Sequence, residues 1–146
     1  MKFAVMGAGA IGSYFGALLA RAGHDVCLIG RAQHVAAIRQ RGLRLESKLF
    51  DGHVPMQATT EAQGVEGADV ILFCVKSTDT ETAGRLILPH LKSDAVLLCL
   101  QNGVDNAERL AVIVPQTVLA AAVYVATEMA GPGHLRHHGR GQLIIA

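Results

Sequence analysis

The sequence predicts an α/β fold: a doubly wound, mostly parallel sheet with helices on both faces and an antiparallel hairpin at the C-terminal end. Three observations carry the prediction. Apolar runs alternate with helix-like stretches almost to the end of the chain, and the connections between them are short. One run, Ala68–Val75 (ADVILFCV), is continuously apolar, as strands covered on both sheet faces are. The 146 residues suffice for one compact domain, and a composition of 51% hydrophobic residues with 16 glycines suits a globular chain with tight turns.

Taken in order, Lys2–Met6 (KFAVM) reads as a short buried strand ending at a glycine turn. Ile11–Ala22 carries Ile11, Phe15, Leu18, Leu19 and Ala22 at helical spacing, with Gly23 where a C-terminal cap belongs. Asp25–Ile29 is a second strand, and Gln33–Gln40 a helix closed near Gly42. Leu43–Met56 mixes alternation with glycine and charge, and reads equally as a strand pair or a long loop. After the Ala68–Val75 strand, Thr80–Leu91 is a helix whose last turn Pro89 disturbs. Ala95–Leu100 is a strand, Asn106–Val114 a helix and Val118–Val125 a strand. From Glu128 onward, glycines, a Pro-Gly turn and alternation predict the hairpin, with Leu143–Ile145 as its return strand. The chain then stops at an apolar strand, an odd place for a complete protein to end.

Several function classes are disfavoured at once. A net charge of +1 gives no field favouring nucleic acid or an anionic membrane. Neither a signal peptide nor an apolar span is visible, so a cytoplasmic protein is the expectation. Cys27, Cys74 and Cys99 lie far apart in apolar runs and read as buried reduced thiols. His134, His137 and His138 lie in the hairpin among arginines with no acid close in sequence, and alternation sends the last two to opposite faces. No metal site is expected from them.

Residues 7–12 read GAGAIG, a GxGxxG turn between a strand and a helix, with a second strand to complete βαβ. That context predicts a Rossmann-type dinucleotide site. Gly7 permits the turn, Gly9 lets backbone N–H groups approach a pyrophosphate, and Gly12 lets the helix pack on the strand. An acid at the end of the second strand would bind the ribose of NAD and repel a 2′-phosphate. The chain instead reads Ile29-Gly30-Arg31. Arg31 is suited to a charge-assisted contact with the 2′-phosphate of NADP, and Gly30 to admitting the adenosine. One of Arg39, Arg41, Arg44 and Lys48 is a candidate to assist Arg31. Lys76 follows one predicted strand and Asn102 another, which places both where ligands lie in open α/β sheets. Lysine there can contact cofactor or polarise a carbonyl; asparagine can donate and accept at once.

Together these segments resemble the N-terminal half of the ketopantoate reductase (2-dehydropantoate 2-reductase) family. The resemblance spans essentially the whole chain: KFAVMGAGAIGSYFGALLARAGHDVCLIGR, FCVKS around Lys76, LQNGVDN around Asn102, and AAAVYVATEMAGPGHLRHHG. It implies NADPH-dependent reduction of 2-dehydropantoate, a 2-keto acid, on the way to pantothenate and coenzyme A. By motif it places pyrophosphate on Gly7, Ala8, Gly9, Ala10, Ile11 and Gly12, and the 2′-phosphate on Arg31. Lys76 and Asn102 come near ribose and nicotinamide, with Asn102 also near substrate, and Ala126 contacts cofactor through its backbone. The family's second, helical domain carries the proton-donating lysine, the substrate grip and most of the dimer contact; residues 1–146 match only the cofactor domain, so the chain alone is expected to be inactive. Two other readings stand beside this one: a stand-alone regulatory nucleotide-binding module, and a related NADP-dependent 2-ketoacid or hydroxyacid dehydrogenase.

Overall fold

The computed structural model describes residues 1–103 and 105–145; Val104 of LQNGVDN and Ala146 of the terminal LIIA lie outside them. The elements run β1 (Lys2–Met6), α1 (Ala10–Arg21), β2 (Asp25–Ile29), α2 (Ala32–Arg41), β3 (Leu43–Glu46), β4 (Asp51–Val54), β5 (Gln57–Thr59), β6 (Val70–Phe73), α3 (Thr80–Ile87), β7 (Val96–Cys99), α4 (Asn106–Ile113), β8 (Thr117–Gly131) and β9 (His134–Ile145). Single 3-10 turns at Ala62–Val65, Ser77–Asp79 and Leu88–His90 complete the connections. All nine strands form one sheet, in the order β4-β3-β9-β8-β7-β6-β1-β2-β5. Within it, β5, β2, β1, β6, β7 and β8 are parallel neighbours. This is the doubly wound arrangement, and the chain reverses its direction of travel across the sheet between β1 and β6.

Alternation along the central strands feeds two cores. Val5, Val26, Leu28, Leu72 and Leu98 face α1 and α2, where Ala17, Val35 and Ile38 meet them. Ala4, Met6, Ile71, Phe73, Leu97 and Cys99 face the other way, onto Ala83 and Ile87 of α3 and Leu110 of α4. The predicted helices thus do cover both faces.

The buried side of α1 differs from the expected apolar stripe. Gly12, Ser13, Tyr14, Gly16 and Ala17 are buried, whereas Leu18 is exposed and Ile11, Phe15 and Leu19 only flank the core. Mostly small residues sit there because the helix lies tight on the sheet. A Cβ at Gly16 would come within 2.8 Å of Leu28 Cδ2, and one at Gly12 within 2.5 Å of the Gly7 carbonyl oxygen and 2.7 Å of Val5 Cγ1. Backbone cannot yield as a side-chain tip can, so Gly12→Ala is expected to cost about 3 kcal/mol despite alanine's better helix propensity. A fall in melting temperature of roughly 10 °C would register it.

Leu43–Met56 resolves as a strand pair, with β3 and β4 antiparallel from Leu43↔Val54 to Glu46↔Asp51. The short β5 that follows was not signalled by its three residues. At the other end, the first arm of the hairpin is not a separate strand after Glu128. Strand β8 continues unbroken to Gly131, and the return strand starts at His134 rather than Leu143. Two irregularities on β9 allow the long ribbon to bend: three steps from Tyr124 to Thr127 on β8 face five from His137 to Gln142 on β9. Gly139 (φ 143°) and Arg140 (φ 61°) absorb the surplus in the left-handed region. Beyond the bend, β9 leaves the parallel core and pairs with β3 from Arg44↔His134 to Glu46↔Arg136. The hairpin tip is thereby carried across to α2.

Candidate nucleotide site

The carboxyl ends of β1, β2 and β6 open into a cleft of about 550 Å³. Its floor is Met6–Gly9, its sides Ile29–Arg31 with Gln33 and His34, and Cys74–Lys76 with Asp79; Thr60 closes one end. Met129, Gly131 and Pro132 of the hairpin tip form a further wall.

The glycine turn is built from the contacts around it. Gly7 has φ 101°, and a Cβ there would lie 2.8 Å from the backbone of Cys74 and Val75. The turn therefore sits directly against the segment that delivers Lys76. Gly7 and Ala8 both donate their N–H groups to the Ile29 carbonyl, at 3.1 and 3.0 Å. Ser13 Oγ donates to the Ala8 carbonyl at 3.2 Å. The first intrahelical bond of α1 to reach back to the turn is Ser13 N–H to the Gly9 carbonyl at 2.9 Å. The N–H groups of Ala10, Ile11 and Gly12 consequently have no acceptor among the described residues. No acid occupies the first turn of α1 to neutralise its positive end.

Gly9 is the telling position. It caps α1 with an ordinary φ of −78°, and a Cβ added there would meet nothing within 4 Å. Neither strain nor packing inside the chain calls for glycine. Open space above free helix N–H groups fits a pyrophosphate approaching the backbone. Gly30 lines the cleft too, and packing inside the chain also calls for glycine there, since a Cβ would come within 2.9 Å of Ala8 Cβ.

Arg31 caps α2 at the rim of the cleft, its side chain exposed and without a hydrogen bond or ion pair among the described residues. Lys76 is likewise exposed and unpaired there. Of the other basic residues, Arg39, Arg41 and Arg44 are engaged or elsewhere, and Lys48 is not in the cleft lining. Arg39 donates to the Ala58 carbonyl at 2.7 Å, Arg44 pairs with Asp51 at 3.1 Å, and Arg41 lines a separate recess beside His53 and His134. Asn102 and Ala126 lie outside the cleft lining. Ala126 pairs with Gly139 where the ribbon bends, and Asn102 is exposed on the loop after β7.

Beneath the Lys76 and Asn102 loops runs a polar network that the sequence reading missed. Asn106 is 3% exposed and uses its amide in full. Its Nδ2 donates to the Asn102 carbonyl (2.7 Å) and Ser77 Oγ (3.1 Å), while Oδ1 accepts from Thr80 Oγ1 and Arg109 (both 3.2 Å). Gln101 donates to the Val75 carbonyl (2.9 Å) and Thr80 Oγ1 (2.8 Å). The two loops are thereby locked together. The only sequence signal for this was Asn106 standing four residues after Asn102 at a helix start, which reads as an ordinary cap.

Arg109 closes the network by donating to the Ser77 carbonyl and to both oxygens of Glu81. Its guanidinium holds the Glu81 carboxyl down at about 2. A lowered carboxylate adds stability that is complete above its ordinary value near 4.5 and is lost as pH falls toward 2. Glu81→Gln should therefore melt below wild type at neutral pH, with the gap closing between about pH 4.5 and 2, as thermal melts at stepped pH would show.

Burial raises the thiols of Cys27 and Cys74 and lifts Cys99 to about 11, so all three stay protonated and unreactive at neutral pH. The hairpin histidines do have acids near them in space, contrary to the sequence reading. His134 bonds Glu46 at 2.8 Å, His138 bonds Glu128 at 2.9 Å, and His137 stacks on Tyr14 at 4.5 Å. Glu46 and Glu128 come from strands that register, not sequence, brings alongside. Among the described residues no group of three or more His, Cys, Asp or Glu side chains could hold a metal ion, and no helix is long and apolar enough to cross a membrane.

Residues 3–146 match the family model described as ketopantoate reductase PanE/ApbA. A 2-dehydropantoate 2-reductase of Nostoc is 32% identical over 146 residues, covering 99% of this chain and 46% of its own length. That of Pyrococcus abyssi is 37% identical, covering 99% and 47%. The chain spans about half the length of the curated relatives it matches. Among solved structures, a PanE/ApbA family ketopantoate reductase from Ralstonia eutropha superposes with a TM-score of 0.98 at 59% identity, over 99% of this chain and 49% of that one. A D-mandelate dehydrogenase solved with NADH and anilino(oxo)acetate superposes at 0.88 with 30% identity, over 98% and 47%.

Proposed function

The chain belongs to the ketopantoate reductase PanE/ApbA family, and from that premise we propose that it forms the NADP(H)-binding half of a reductase acting on 2-dehydropantoate. The observation that carries the reading is the cleft: free helix N–H groups under an open Gly9, with an unpaired Arg31 at the end of β2. The fold alone does not choose the nucleotide, since a dehydrogenase of the same architecture was solved with NADH. Residue 31 makes the choice, because a cation there attracts a 2′-phosphate that an acid would repel.

In this reading the N–H groups of Gly9–Gly12 hold the pyrophosphate, Arg31 the 2′-phosphate, and Lys76 and Asn102 the ribose and nicotinamide end. Held there, NADPH would supply a hydride for reduction of a ketone. The chain's own part is to bind, orient and exclude water. The network through Asn106 and Gln101 keeps the Lys76 and Asn102 loops in one arrangement, so neither must be ordered when ligand arrives. The proton for the forming alkoxide, the grip on the keto acid and the dimer contact are assigned to the portion of the relatives that this chain does not cover. Residues 1–146 accordingly act as a single cofactor domain.

Following NADPH absorbance with 2-dehydropantoate present tests that division. The 146-residue chain should bind NADPH yet consume it no faster than a buffer control. Rapid, ketone-dependent consumption would place an effective acid within this half and overturn the assignment.

A further inference from the structure

His34 stands at the one place where the glycine turn, α2 and the hairpin tip meet. Its Nδ1 accepts the Gly133 N–H at 2.9 Å, across 99 residues of sequence. Its Nε2 lies 3.1 Å from Ser13 Oγ, which in turn bonds the Ala8 carbonyl. A backbone N–H can only donate, so Nδ1 must carry a lone pair. A carbonyl can only accept, so the Ser13 hydroxyl proton points at Ala8, and Nε2 must carry the ring proton. One form satisfies every bond: neutral imidazole protonated on Nε2.

We propose that His34, in that neutral form, is a positioning residue for the nucleotide cleft. It latches the hairpin tip to the glycine turn and so fixes the wall made by Met129, Gly131 and Pro132. The proposal rests on the nucleotide reading of the cleft. Arg44 N–H donates to the Gly133 carbonyl at 2.8 Å and ties the tip to β3, and the His34 bond adds the tie to α2. The turn residue Gly133 has φ 66°, and a Cβ added there would come within 2.7 Å of Ala37 Cβ on α2, while the ribbon behind it bends at Gly139 and Arg140. The Gly133–His34 bond is the polar tie from the tip to α2 among the described residues.

Protonation of His34 would set an N–H against the Gly133 N–H and open the latch. Burial lowers His34 from the ordinary imidazole value near 6.5, which keeps the ring neutral through the neutral range. The charged groups facing this region are Arg31 on its own helix and Lys76 and Asp79 across the cleft. On the hairpin, His134 is held by Glu46. Asp79 is the anion among the cleft groups, and neither ring nitrogen of His34 is bonded to it.

Amide exchange at Gly133, the ring nitrogen shifts of His34 and NADPH titration, all on the 15N-labelled chain, test the proposal. Wild type should show the Nε2–H tautomer and a protected Gly133 amide whose protection is lost only once pH is below the ordinary imidazole value near 6.5. His34→Leu should lose that protection roughly tenfold, spare the amides of β1 and β6, and bind NADPH about tenfold more weakly. His34→Asn presents a carbonyl oxygen in place of Nδ1, so it should regain protection that no longer responds to pH. An Nδ1–H tautomer, or Gly133 exchange indifferent to His34→Leu, would overturn the latch. NADPH affinity unchanged in His34→Leu would overturn its role in the cleft. Failure of wild type to bind NADPH, with the exchange results intact, would instead overturn the nucleotide reading and the role built on it.

Discussion

Gly9→Ala is expected to abolish most nucleotide binding while leaving the fold intact. An alanine at this position adopts φ −78° without strain, and its methyl group would meet no atom of the chain within 4 Å. Exchanging glycine for alanine at a helix N-cap costs no more than about 1 kcal/mol, a shift of roughly 3 °C in melting. The same methyl group would stand above the free N–H groups of α1, where a pyrophosphate must approach to about 3 Å. Loss of two or three charge-assisted hydrogen bonds corresponds to a fall in NADPH affinity of about 100-fold or more. Calorimetry and a thermal melt of the same sample would read both effects. Comparison with Gly12→Ala sharpens the point, because there the fold itself should suffer. The two variants should therefore separate the motif's roles, with Gly12→Ala read in stability and Gly9→Ala in nucleotide affinity.

Arg31→Asp is the second large effect, and it should invert the cofactor preference. Arg31 is exposed and unpaired, so its removal disturbs nothing within the chain. Against a 2′-phosphate it would contribute a charge-assisted contact of about 1.5–3 kcal/mol. The aspartate replaces attraction with repulsion and offers an acceptor to the ribose hydroxyls of NADH. NADPH affinity is expected to fall about 100-fold or more, with NADH affinity unchanged or a few-fold better. Because the site is open to solvent, the wild-type preference should also weaken as salt is raised from about 0.05 to 0.5 M, and the variant should lack that dependence.

Much of this was legible in the sequence, for identifiable reasons. Strands β1 and β2 and helix α1 announce themselves because each pairs a clear hydrophobic period with a glycine stop. The cleft residues Gly7, Gly9, Arg31 and Lys76 follow from strand ends, since a parallel sheet puts its functional loops there. What periodicity could not show is contact between distant segments. The Pro-Gly turn does join an antiparallel hairpin, as its sequence signals, but the full length of β8 and the bend in β9 depend on register with β3 and β7. Asn106 and His34 were passed over for the same reason. Each is an ordinary helix residue until Ser77, Asn102, Ser13 and Gly133 are brought beside it. The stripe Ile11–Phe15–Leu18 misled because close helix–sheet packing selects small residues, which carry almost no hydropathy signal.

On the proposed reading, this cleft takes a dinucleotide and Arg31 selects the 2′-phosphate. Parallel calorimetric titrations of the wild-type chain with NADPH and with NADH at low salt test it most directly. Saturable NADPH binding at least about tenfold tighter than NADH is the predicted result. Equal affinities, or tighter binding of NADH, would contradict it.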